Sequence, residues 1–100
     1  MWDFNDDPAV IAQTIAQRVR ARRLEANLTQ RGMARRAGLA TATYRRFEST
    51  AQVSLNNLIL IAVALGATDD FATLFQRPAY ASIDEVISAQ RPTRRRGRHD

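Results

Sequence analysis

The 100-residue sequence predicts an all-α domain, and two kinds of signal predict it. Apolar residues recur at helical spacing in successive segments, and residues that start and stop helices punctuate those segments. No stretch alternates apolar and polar residues as a half-buried strand does, and no internal repeat stands out.

Asp7-Pro8 opens the first helix, because Asp accepts from free amides and proline at the first helical position gives up no hydrogen bond. Ile11, Ile15 and Val19 then fall at i, i+4 and i+8, with Ala12 and Ala16 beside them. One apolar stripe running to about Ala26 is the expectation, with Asn27 placed for a left-handed stop. Thr29 caps a second helix, and Leu28 and Met33 have the spacing of a hydrophobic staple. Gly32 stands where a capping-box Glu would help, so this start is weaker than it could be. Ala37-Gly38-Leu39 breaks the pattern after two turns, Gly38 supplying the positive φ of a tight corner.

A third helix is expected from about Thr41 to Ser49, with Leu39, Tyr44 and Phe47 pointing inward. Ser54 caps a fourth, Leu55 to Leu65, closed by Gly66. Thr68 or Asp69 starts a fifth that runs through Phe71, Leu74 and Phe75 to the Arg77-Pro78 step. Ser82-Ile83-Asp84-Glu85 matches a capping box, which predicts a short sixth helix from Ile83 to about Ala89. The expected organisation is a lead over residues 1–7, a folded domain over 8–76, a C-terminal extension over 77–90 and a disordered Arg-rich tail over 91–100.

Charge placement says more than the net +5. Residues 1–90 carry ten basic and nine acidic side chains, yet Arg18 to Arg46 holds nine arginines against Glu25 alone. Such clustering suits a polyanion, because phosphate contacts need grouped cations; a solvated helix face is the blander account. All fifteen cations are arginine. The planar guanidinium fits phosphate and guanine, but a GC-rich coding bias gives the same preference, and composition does not separate the two. The run Arg94-Arg95-Arg96-Gly97-Arg98 is either a DNA-contacting arm or a source of nonspecific attraction. The longest apolar run, Leu58 to Leu65, is far shorter than a membrane span. An acidic N-terminus and the absence of cysteine fit a cytoplasmic protein without a signal peptide, disulfides or thiolate metal sites.

Two short helices joined by a glycine-containing corner specify a helix-turn-helix, from Thr29 to Phe47. Ala34 lies where such helices cross, and the anchors Leu39, Tyr44 and Phe47 leave Thr41, Ala42, Thr43, Arg45 and Arg46 facing out. Thr29-Gln30 through Ala34, Ala37-Gly38-Leu39, Tyr44-Arg45-Arg46-Phe47-Glu48 and Ser54-Leu55 to Leu65-Gly66 together resemble the Cro/cI-type (XRE) helix-turn-helix family over about residues 10–76. The resemblance implies a five-helix, lambda-repressor-like domain with a short C-terminal extension, binding double-stranded DNA as a homodimer on a palindromic operator. It implies base reading by Thr41, Ala42 and Arg46, phosphate contacts from Gln30, Thr43 and Arg45, and a bracing role for Glu48. Arg22, Arg23, Arg31 and Arg35 join the expected phosphate set from the arginine cluster. Ala40 departs from the usual serine cap, which can divert Thr41 to capping, and the loop from Ser49 to Val53 lacks the glycine often found there.

A narrower resemblance runs from Phe71 to Val86 and into the arginine-rich end. This part looks like the antitoxin-type regulators paired with HipA-like kinase toxins, which implies autoregulation and a toxin partner. On the fourth helix Leu55, Leu58, Ala62 and Leu65 form the expected core face, flanked by Ile59 and Ile61, so Leu60 and Val63 point away. With Phe71, Leu74, Phe75, Tyr80 and Ile83 they make a candidate dimer or partner surface, burial by the C-terminal segment being the alternative. His99 has no companion ligand, and Asp69-Asp70 and Asp84-Glu85 sit at helix starts, where the dipole favours them. No phosphate loop and no nucleophile with a base is present, so neither an enzyme nor a cofactor is expected.

Overall fold

The computed structural model describes residues 6–77, and its helices are α1 (Pro8–Glu25), α2 (Gln30–Ala37), α3 (Thr41–Thr50), α4 (Leu55–Leu65) and α5 (Asp69–Ala72). No strand occurs among the described residues, and none of these helices is by itself long and apolar enough to cross a membrane. The expected sixth helix, the arginine-rich tail, Tyr80 and Ile83 lie outside the described residues.

The caps form as their side-chain chemistry requires. Asp7 accepts from the Ala9 amide at 2.9 Å, Thr29 from Gly32 at 2.9 Å and Ser54 from Asn57 at 3.0 Å. Three helices also end alike. Asn27, Gly38 and Gly66 take left-handed φ of 58°, 73° and 68°, and the amides after them (Leu28, Leu39 and Ala67) reach back to the carbonyls of Arg23, Ala34 and Ala62. Each closure satisfies carbonyls that the helix end would leave bare and folds the chain back on itself.

The core is Ala16, Met33, Ala34, Ala37, Tyr44, Phe47 and Ile61. Helix α2 packs on both α3 and α4, and α1 packs on α3. Ala34, fully buried, lets the helix backbones approach, while Tyr44 and Phe47 meet edge to face with centroids 6.1 Å apart.

Three expectations need correction. On α1 the buried positions are Ala16 and Arg23, with Val19 packed beside them, while Ile15 lines an open groove. On α4 the inward face is Ile61 and Ala62 with Leu58 and Leu65, and Leu55 is 64% exposed. Leu60, expected outside, is half-buried against the core. The cause is composition: α4 is apolar nearly all round, so periodicity selects no face and the contact with α2 sets the phase. Finally, α5 stops at Ala72, and Phe75, expected within it, turns left-handed at φ 61°; at its start Thr68 is helical instead of extended and does not cap.

Gly38→Ala should cost about 1 kcal/mol, because an L side chain is strained at φ 73°. A Cβ there meets nothing within 4 Å, so chemical denaturation reads the backbone term alone.

Candidate nucleic-acid interface

Helix α3 has two faces of different chemistry. Tyr44 and Phe47 are fully buried, whereas Ala42, Thr43, Arg45 and Arg46 are exposed and Thr41 half-buried. Its N-terminus is open: Ala40 is extended and offers no side chain to cap the first amides. Thr41 is the first helical residue and does not replace the missing cap. Arg31 and Arg35 of α2 are exposed, as is Arg22 of α1, which lies 3.5 Å from the exposed Asp70 carboxylate. An ion pair so open to water holds Arg22 only weakly.

The second face is fixed from behind by a buried charge cluster. The Arg23 Nε donates to Glu48 Oε2 at 2.7 Å and its Nη2 to Oε1 at 3.1 Å, a bidentate pair with both side chains less than a tenth exposed. The remaining fork of Arg23 donates to the Leu28 carbonyl at 2.7 Å, which ties the connection between α1 and α2 to the pair. Tyr44 donates its hydroxyl to Glu48 Oε2, and Gln30 Nε2 donates to Oε1 at 3.0 Å. The cluster continues outward, since Gln30 Oε1 accepts from Arg45 Nε at 3.2 Å.

Burial alone would push the Glu48 carboxyl up, but the donors from Arg23, Tyr44 and Gln30 outweigh it and hold it below its usual range. Burial, with the Glu48 charge, pushes the Tyr44 hydroxyl well above its usual value. The hydrogen bond to Glu48 likewise raises Arg23, against the opposing effect of its own burial.

The geometry therefore withdraws Arg23 from the expected phosphate set, because its donors are spent on Glu48 and Leu28 inside the domain. The signal was present in the sequence: Arg23 continues the spacing of Ala12, Ala16 and Val19 along α1. Glu48 braces the motif as the resemblance implied, with partners on α1, α2 and α3.

A helix-turn-helix family model matches residues 19–71, from within α1 to α5 and just over half of the chain. This chain is a Cro/cI-type helix-turn-helix protein. The helix-turn-helix family assignment and the α2–turn–α3 geometry make it a DNA-binding transcription regulator with a lambda-repressor-like helical fold. No curated protein matches the chain.

Away from the helix-turn-helix motif the surface is apolar in places. Val63, Leu74 and Phe75 are 59%, 51% and 98% exposed, whereas Phe71 is half-buried. Phe71 and Leu74 line a groove of about 710 Å³ between α1, α4 and α5, floored by Val19, Leu58, Ile61 and Leu65. The sequence reading missed Leu55 and Ile59, which join Val63 in an exposed i, i+4, i+8 row on α4. It also missed Gln52, which no spacing singles out but whose side chain meets Arg46.

Glu48→Ala should destabilise the domain by about 3–5 kcal/mol, because it leaves the Arg23 charge buried and unpaired. Denaturant unfolding checks this. The depressed Glu48 carboxyl contributes stability present above the ordinary carboxylate range and lost as pH falls through its folded value. The raised Tyr44 hydroxyl contributes stability present below pH of about 10 and lost as pH rises beyond it. A pH series of melting temperatures should fall at both ends, and Glu48→Ala should flatten the acid limb.

Proposed function

We propose that this regulator is a sequence-specific repressor that binds a palindromic operator as a homodimer in the cytoplasm and controls its own gene. The observation that carries the reading is the two-sidedness of α3: its anchors are buried while Ala42, Thr43, Arg45 and Arg46 stand exposed beside Arg31 and Arg35. Thr41, Ala42 and Arg46 read base edges in the major groove, with Arg46 suited to guanine and the small apolar groups to the thymine methyl. Arg22, Gln30, Arg31, Arg35, Thr43 and Arg45 hold the register through phosphates. The protein works by binding, without catalysis or cofactor.

The exposed apolar row on α4 and the groove beside α5 support a protein partner. A second copy places two recognition helices one DNA turn apart, about 34–36 Å. A HipA-like toxin is the second reading, supported by the same apolar surface; a larger protein that co-purifies with the chain would favour it over self-association alone.

Binding to DNA upstream of its own gene, titrated with salt beside a scrambled duplex, tests the proposal. Tight, selective and salt-dependent binding is expected, and equal weak binding to both duplexes would remove it. Arg46→Ala should cost about 1–3 kcal/mol on the cognate duplex and relax one base position. Arg35→Ala should weaken both duplexes alike and reduce the salt slope by about 1.

A further inference from the structure

We infer that Gln52, in the loop after α3, is a specificity-determining residue that holds the Arg46 guanidinium in its base-reading pose. The inference rests on the reading of Arg46 given above. The Arg46 Nη2 donates to Gln52 Oε1 at 2.7 Å, a short bond between two exposed side chains six residues apart. The loop is built to bring them together. Ala51 takes φ 63°, which turns the chain back on α3 directly before Gln52. The Thr50 hydroxyl then donates to the Arg46 carbonyl at 2.7 Å and accepts from the Gln52 amide at 3.2 Å, and Ser49 donates to the same carbonyl at 3.2 Å. Backbone and side chain of Gln52 are thus both tied to Arg46.

The chemistry of the partner matters. A flexible arginine loses rotamer freedom when it docks on a base, and a hydrogen bond made beforehand removes part of that loss. One Nη2 hydrogen given to Gln52 leaves the other, with Nη1, for a guanine edge. A carboxylate in this place would also hold the arginine, but it would cancel the charge and repel DNA. The neutral amide orders Arg46 and leaves its charge intact.

The test uses the full chain and two duplexes: the tightest recovered from a randomised pool by the unaltered protein, and a scrambled version. Gln52→Ala should lower affinity for the selected duplex by roughly three- to tenfold, about the size of one hydrogen bond, and leave the scrambled duplex unchanged. Discrimination should fall at the base pair that Arg46→Ala also relaxes, and adding Gln52→Ala to Arg46→Ala should change nothing further. Gln52→Glu keeps the acceptor and adds a negative charge, so it should weaken both duplexes while keeping their ratio. Equal losses on both duplexes for Gln52→Ala, or full additivity with Arg46→Ala, would overturn the inference while leaving Arg46 as a reader. Equal losses for Arg46→Ala itself would instead remove the base-reading role, and the inference with it.

Discussion

One carboxylate organises the motif. Glu48 projects from the inner side of α3 and gathers Arg23 of α1, Gln30 of α2 and Tyr44 of its own helix, so three helices are referenced to a single buried charge. Apolar packing is weakly directional, and the alanine-rich contacts of Ala16, Ala34 and Ala37 allow small slides at little cost. A bidentate guanidinium–carboxylate pair does not, because its two bonds fix both distance and orientation. The core supplies adhesion and Glu48 supplies register. Its influence reaches the surface through Gln30, whose carbonyl oxygen accepts from Arg45 on the exposed side of the motif.

Much of this was legible in the sequence because the governing physics is local. The caps at Asp7, Thr29 and Ser54 and the left-handed stops at Asn27, Gly38 and Gly66 depend on a few adjacent residues, and they form where the sequence places them. Tyr44 and Phe47 as anchors, and Ala34 at the helix crossing, follow from spacing. What was not legible depends on the tertiary partner. Arg23 carries the spacing of a buried position, but its partner Glu48, twenty-five residues away, is supplied only by the fold. The face of α4 is hidden for a different reason, since a helix apolar on nearly every side carries no phase of its own. Gln52 reads as an ordinary loop residue, and only the turn at Ala51 carries it back to α3.

Helix α4 separates the two kinds of surface. It leaves α3 at an angle of 100°, and its exposed row of Leu55, Ile59 and Val63 is apolar where the exposed residues of α2 and α3 are largely cationic. Exposed arginines gather on α1 and the helix-turn-helix motif, and the large apolar groups left in water lie outside that motif. Contacts with a polyanion and contacts with a protein therefore draw on largely different residues, Arg22, which also lines the groove beside α5, being common to both.

Ala51 illustrates how a small residue can trade one form of order for another. Glycine relaxes the left-handed backbone at this position but gives up a methyl group packed against the core. Glycine also enlarges the ensemble of the unfolded chain, so the gain in the folded state is offset by the conformational entropy that folding must then remove. The difference lies in the breadth of the native basin. With alanine the hinge between α3 and α4 has few backbone states open to it, and the loop keeps a narrow distribution of shapes.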